Sequence, residues 1–290
     1  MRLVIDGKMC YDLSKSHLRE VFFMNYCGYH THTTFSDGKN SMEEMVLAAI
    51  ERGMPAIGFS DHSDSPYQDY CMRQSEYPMY LAELERMQEK YGDRITILKG
   101  IELDSNSDPA ITEKLDYFLC SVHELVFDGR FYGIDHAASL QMDCINNELG
   151  GDKLAFAKCY FDELTAHVLK NKPTIIGHFD VLTKFSLMDE EDPAYQRIAL
   201  DAMEQMRSAA NVLEVNTGAI SRKWRDRPYP ADFLLRRWRE LGGQVVLGAD
   251  THAVSTIDCA FPLAVEIIKK AGFDHLLTLW PDGFHEEKIG

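Results

Sequence analysis

The chain of 290 residues has no long hydrophobic run. No apolar stretch approaches the roughly 20 residues that a membrane-crossing helix needs. Its opening, MRLVIDGKMCYDLSKSHLRE, carries charges throughout and lacks the apolar core of a signal peptide. A cytoplasmic location is therefore expected. Paired cysteine patterns are missing too: Cys10, Cys27, Cys71, Cys120, Cys144, Cys159 and Cys259 are scattered, odd in number and never spaced CxxC. That argues against a disulfide framework or a thiolate zinc site and for reduced thiols in the core. Positive charge is scarce, with 30 Lys and Arg against 46 Asp and Glu for a net −16. A bare chain of that charge repels nucleic acid. Low-complexity segments and internal repeats are absent.

What is present is enough apolar material for a sizeable core, 45% of the chain, arranged in short runs. VFFMNYCGYH, MPAIGFSDH, ITILKGIELD, LDYFLCSVH, PTIIGHFD, NVLEVNTG and QVVLGADTH are each flanked by turn residues. Such runs read as strands buried on both faces. Amphipathic stretches separate several of them. SMEEMVLAAIERG has a capping box at Ser41 and Glu44 and a stop at Gly53. PMYLAELERMQEKYG runs from Pro78 to Gly92, and four later stretches space apolar residues at three and four. Alternation of strand and helix means parallel strands with helices outside, an α/β fold. Seven strands suit a closed or nearly closed barrel, and a doubly wound sheet is the rival. Residues 124–150 fit neither period and are expected to form a lid or insertion. Residues 1–26 are expected as an N-terminal extension that closes one barrel end.

The ends of the runs carry the chemistry. His30 and His32 end the first, Asp61 and His62 the second, Glu102 and Asp104 the third. His123 ends the fourth, His178 the fifth, and Asp250 and His252 the seventh. In a parallel barrel all these ends face one mouth, where such folds place their sites. His30 and His32 are two apart, so on a strand both point to one face. Imidazole nitrogen with carboxylate oxygen suits zinc, iron or manganese. Glu102 has two oxygens with which to bridge ions, and Asp37 can swing back after a short turn. Any one of these residues alone reads more simply as a satisfied rim residue. Together, titratable groups buried so close cost several kcal/mol unless cations join them.

In HTHTTFSDG, GFSDH, GIELD, CSVH, GHFD and GADTH, in that order from residue 30 to 252, the chain resembles the PHP (polymerase and histidinol phosphatase) superfamily. The resemblance implies one PHP metal-dependent phosphoesterase domain over residues 1–290, folded as a distorted seven-stranded β/α (TIM-like) barrel. It also implies three divalent ions. His30, His32, Glu102 and Asp250 would hold one; Glu102, His123 and His178 the second; Asp37, His62 and His252 the third. CSVH, GHFDVLTKF and the chain length look most like stand-alone histidinol-phosphate phosphatases, which hydrolyse L-histidinol phosphate in histidine biosynthesis. The chain departs from that pattern in the 29 residues before its HxH motif.

The reaction expected is in-line attack on a phosphate monoester by a metal-activated hydroxide. The partner is a small-molecule ester, not nucleic acid or membrane. Arg222, first choice among the cations of NTGAISRKWRDR, together with Lys223, Lys184 and Arg130, is a candidate to grip the phosphate, although a solvated surface charge is the plainer reading of each. Asp180, His123 or bound water is the candidate proton donor for the leaving group. Two alternatives stand: a PHP phosphoesterase for a nucleotide, sugar phosphate or nucleic-acid end, and a non-catalytic metal-binding regulator.

Overall fold

Ser41 opens a helix as its spacing predicts. Its hydroxyl accepts the Glu44 N–H at 3.3 Å, and the Glu44 carboxylate accepts the Ser41 N–H at 2.8 Å. The helix, Met42–Glu51, buries Met42, Met45, Val46 and Ala49 on one stripe. The structure, a computed structural model, describes residues 26–289. The expected extension, Tyr26 apart, lies outside the described residues. Helices Tyr77–Tyr91, Lys153–Asn171, Pro193–Met206, Asp232–Glu240 and Phe261–Lys270 fall on the other amphipathic stretches. Two of them start from aspartate caps, Asp152 and Asp192, whose side chains accept N–H groups of the first turn.

The apolar runs form parallel strands. β1 (Ala56–Phe59) pairs with β2 (Thr96–Lys99). β3 (Glu102–Asp104), β4 (Leu119–Ser121), β7 (Ile175–Ile176), β8 (Val212–Asn216) and β9 (Gln244–Gly248) form one sheet in that order. The order follows the sequence without reversal, unlike a doubly wound sheet. No continuous ladder closes the sheet among the described residues. Isolated parallel bridges link its parts: Gly28 with Ile57, His62 with Glu102, and Thr31 with Thr251.

The run ITILKGIELD, read as one strand, is two. The Tyr117 ring lies against Gly100 and Gly58, where a Cβ would collide with it. Its hydroxyl sits 2.8 Å from the Tyr29 carbonyl and 3.0 Å from that of Phe59. This wedge interrupts pairing between Lys99 and Glu102.

Two apolar clusters result. The larger lies between the sheet and its helices. The smaller gathers Ala56, Leu98, Leu119, Ile175 and Val212 with Leu277 and Leu279. These last two belong to an antiparallel hairpin, β10 (His275–Trp280) and β11 (Gly283–Lys288). It is tied to the first strand segment where Leu279 N donates to the Tyr29 hydroxyl at 2.6 Å. This C-terminal hairpin thus covers the sheet end opposite the histidines.

Residues 124–150 are also ordered. β5 (Glu124–Phe127) and β6 (Arg130–Gly133) make an antiparallel hairpin, and helix Ala138–Leu149 follows, burying Gln141, Cys144 and Ile145. Neither element shows a clean period in sequence because the hairpin leaves Val126, Arg130 and Phe131 exposed. Among the described residues no helix is long and apolar enough to cross a membrane.

Candidate metal centre

His30 and His32 stand where the first segment meets the last: His32 N donates to Thr251 O at 2.9 Å and Thr251 N to His30 O at 3.1 Å. That crossing delivers both imidazoles to Asp250, with His30 Nε2 and His32 Nε2 at 3.9 and 3.5 Å from Asp250 Oδ1. Glu102 lies at the centre. Its Oε2 is 3.2 Å from His30 Nε2, 3.6 Å from His32 Nε2 and 3.0 Å from His62 Nδ1. Its Oε1 is 2.9 Å from His178 Nε2 and 3.3 Å from His123 Nε2.

Asp37 does return to the site. Asp61 accepts hydrogen bonds from Thr33 N (2.7 Å), Thr33 Oγ1 (2.9 Å) and Ser36 Oγ (2.7 Å), which folds the turn back on itself. Asp37 Oδ2 then lies 3.0 Å from His252 Nε2, and Oδ1 lies 3.6 Å from His32 and 3.7 Å from His62. All six strand-end histidines and all three expected carboxylates therefore meet in one place, although His30 and Asp250 are 220 positions apart.

The donor set fits divalent cations. His30 Nε2, both nitrogens of His32 and Glu102 Oε2 are buried without a hydrogen-bond partner. Four overlapping groups have donor atoms within 4.8 Å of one another: His32, Asp37, His62 and His252; His30, Glu102 and His178; His30, His32 and Asp250; His62, Glu102 and His123. Electrostatics agree. Burial would lower the pKa of His30, but Glu214, Glu102 and Asp250 raise it well above normal. Burial would raise Glu102, but His30, His123 and His62 hold it well below the carboxylate range. Burial, then His252 and His62, push His32 down to about 3. A potential that pins a proton on one ring and expels it from the next also attracts a divalent ion.

Two carboxylates orient ligands: Asp104, read from the sequence as a strand-end acid without a role, and Glu214, not singled out there. His30 Nδ1 donates to Glu214 Oε1 at 2.7 Å, and His123 Nδ1 donates to Asp104 Oδ2 at 2.9 Å. Each bond would leave Nε2 free for a cation beside Glu102, the arrangement by which second-layer carboxylates fix a ligand's tautomer. Glu214 also accepts from His178 N (2.8 Å) and Asn216 Nδ2 (2.9 Å). The available signal was a lone acid inside the apolar run NVLEVNTG.

A cavity of about 580 Å³ opens onto the centre. Arg222 lines it, with Nη2 2.7 Å from Asp250 Oδ2 and Nη1 3.1 Å from His252 Nδ1. Lys184 lines it too, with Nζ 3.3 Å from Asp135 Oδ2. The other expected cations face elsewhere. Lys223 lines a separate surface pocket. Arg130 projects from the β5–β6 hairpin, its guanidinium 3.3 Å from Glu148. Asp180, expected as a proton donor, is fully buried away from the cavity: Oδ2 accepts from Ala231 N at 2.9 Å. His123, the other protein candidate, does face the cavity. His136 lines the cavity outside the ligand cluster.

Known proteins are similar to this chain in sequence and fold. A protein of Deinococcus radiodurans described as "Probable histidinol-phosphatase" is 28% identical over 260 residues, 85% of this chain and 94% of that one. A Schizosaccharomyces pombe protein of the same description is 24% identical over 270 residues, 84% of this chain and 86% of its own. The crystal structure of histidinol phosphate phosphatase from Lactococcus lactis subsp. lactis Il1403, complexed with zinc, L-histidinol and phosphate, has this fold. It superposes with a TM-score of 0.70 and 23% identity over 90% of this chain and 99% of that one. The PHP domain model matches residues 28–218, from the bridge at Gly28 to the turn after β8, and by that match the chain belongs to the PHP domain family.

Proposed function

We propose that this chain is a metal-dependent phosphomonoester hydrolase that converts L-histidinol phosphate to L-histidinol and phosphate, a step of histidine biosynthesis. One observation carries the reading: the unpartnered Glu102 Oε2 and the unpartnered nitrogens of His30 and His32 cluster with His62, His123, His178, Asp250 and His252, which line a cavity together with Arg222 and Lys184. The similarity to histidinol-phosphatases of bacteria and a yeast supports the choice of substrate.

The ligands would be shared as the family pattern has them. His30, His32, Glu102 and Asp250 would hold one ion, Glu102, His123 and His178 a second, and Asp37, His62 and His252 a third. Zinc, iron and manganese all suit nitrogen and oxygen donors. Divalent ions here supply Lewis acidity, bringing the pKa of water toward roughly 7 and offsetting the charge of a phosphate dianion. The chain's own residues do the rest. Glu214 and Asp104 hold the rings of His30 and His123, and Arg222 and Lys184 grip phosphate oxygens. The segments joined by ladders and bridges would form a distorted seven-stranded barrel within a single domain spanning residues 1–290. Residues 124–150 would serve as its lid, and the enzyme would work on a small molecule in the cytoplasm.

The test is phosphate release by protein loaded separately with zinc, iron and manganese, using L-histidinol phosphate beside nucleotide and sugar monoesters. Preferred turnover of L-histidinol phosphate supports the reading. Turnover of the others alone would remove the substrate, and bound metal without any turnover would remove the enzyme.

A further inference from the structure

We infer that Asp135 determines specificity in this site: its carboxylate receives the ammonium group of an amino-alcohol phosphate ester whose phosphate lies at the metal centre. The inference rests on the phosphatase reading above. Three carboxylates line the cavity among the described residues: Asp37, Asp135 and Asp250. Asp37 and Asp250 face the imidazole cluster, and Asp250 also holds Arg222. Asp135 alone stands outside the ligand set.

Its backbone is anchored to that set. It lies in the turn between β6 and helix Ala138–Leu149. The neighbouring Ile134 N donates to His123 O at 2.7 Å. Gln141 Nε2 donates to Ile134 O and, at 3.0 Å, to Leu182 O. Asp135 is therefore one peptide unit from a bond to a ligand residue. A preorganised anion of this kind loses little entropy when it binds a cation.

One oxygen, Oδ2, faces Lys184 Nζ; the other, Oδ1, takes no hydrogen bond among the described residues. The side chain is 25% exposed, and into the cavity. Burial opposes its ionisation, but Lys184, His123, His178 and Arg222 hold the carboxyl well below its usual range, so it is an anion at neutral pH.

The chemistry of the ester completes the argument. L-Histidinol phosphate carries its amine on the carbon next to the CH2–O–phosphate group, so opposite charges sit at a fixed short separation. Lys184 and Asp135 offer the complementary pair, a cation for phosphate oxygen beside an anion for ammonium. A zwitterionic ester thus converts one ion pair of the free protein into two across the interface. An ester without the amine engages only the lysine half and leaves Asp135 with nothing gained, which is discrimination by a missing partner.

The experiment uses zinc-loaded full-length protein and the variants Asp135→Asn and Asp135→Ala. It measures kcat/KM on L-histidinol phosphate and on phenyl phosphate, calorimetric binding of L-histidinol, and zinc content. Loss of a charge-assisted hydrogen bond should lower kcat/KM for L-histidinol phosphate and weaken L-histidinol binding about 10- to 100-fold. Phenyl phosphate turnover, which Asp135 touches only through Lys184, should fall far less, and zinc content should hold. Equal losses on both esters, or unchanged L-histidinol binding, overturn the inference while the phosphatase reading stands. A wild type that hydrolyses phenyl phosphate but not L-histidinol phosphate overturns that reading and the inference with it.

Discussion

Glu214 shares β8 with Val212, Leu213 and Val215, and a carboxylate 1% exposed among them needs hydrogen-bond partners. His30, His178 and Asn216 supply them. Gly248 shows how tightly the carboxylate is placed, since a Cβ there would overlap it. Removing an outer carboxylate of this kind typically costs about 10- to 100-fold in metal affinity. Glu214→Gln should therefore lower zinc affinity to that extent, with activity recovering in excess zinc. Titration with a competing chelator measures it, and wild-type affinity would sever Glu214 from the metal centre. Gly248→Ala should give the same phenotype by displacement, without changing any titratable group. Arg222 separates from both. It touches Asp250 through a second oxygen and lines the cavity, so Arg222→Ala should raise KM for the phosphate ester while zinc stays bound. An unaltered KM would assign phosphate binding to another cation.

Between elements, the loop that carries Arg222 is held by a residue that resembles it in sequence but not in role. Arg225, from the same RKWRDR stretch, turns inward with a side chain 7% exposed. It bonds Glu190 at 2.8 Å, reaches the Thr183 carbonyl and hydroxyl, and lies 5.0 Å over the Tyr229 ring. The segments bearing Arg222 and Lys184 are thereby joined. Arg225→Ala leaves the buried Asp180 without its counter-charge, so a loss on the order of 2 kcal/mol or more is expected in denaturant unfolding, with KM raised as well. Unchanged stability and KM would reduce the contact to decoration. This division of labour explains what was legible. His30, His32, His62, His123, His178, Asp250 and His252 could be read because each ends an apolar run, a local signal. Asp37 needed only a short polar turn. The tasks of Arg222, Arg225, Lys223 and Arg130 depend on where loops point, and a one-residue change of direction separates cavity from surface. Glu214 and His30 meet across 184 positions, so neither residue announces the pair locally. The β10–β11 hairpin was missed for a related reason: GFHEEK is solvated along most of its length and carries no apolar period.

For the whole molecule, the cluster makes stability depend on metal and pH together. With metal stripped by a chelator, His30, His62 and His123 have folded pKa values above the usual 6.5, His30 and His123 well above it. In each case burial works against the proton and nearby carboxylates, Glu214 first at His30 and Glu102 first at the other two, outweigh it. A raised folded pKa adds stability that is complete below pH 6.5 and lost as pH climbs through the folded value. His32 runs the other way, from 6.5 to about 3, so its contribution is present above pH 6.5 and fades as pH falls toward 3. Asp37, Glu102 and Asp250 are lowered despite burial, by the surrounding imidazoles and, for Asp250, by Arg222 first, so theirs also fades in acid. The stripped protein should therefore lose melting temperature as pH rises from 6.5 to 9, because three protons that bind the carboxylates together are being removed. Divalent ions take over that role and bind more tightly as the rings deprotonate. The gap in melting temperature between zinc-loaded and stripped protein should widen steadily over the same interval, with free zinc held constant and binding stabilising by mass action. Calorimetric scans at half-unit steps of pH measure both curves. A gap that narrows with rising pH would mean that cations do not replace protons at this cluster, and the assignment of all nine side chains as ligands would fall together.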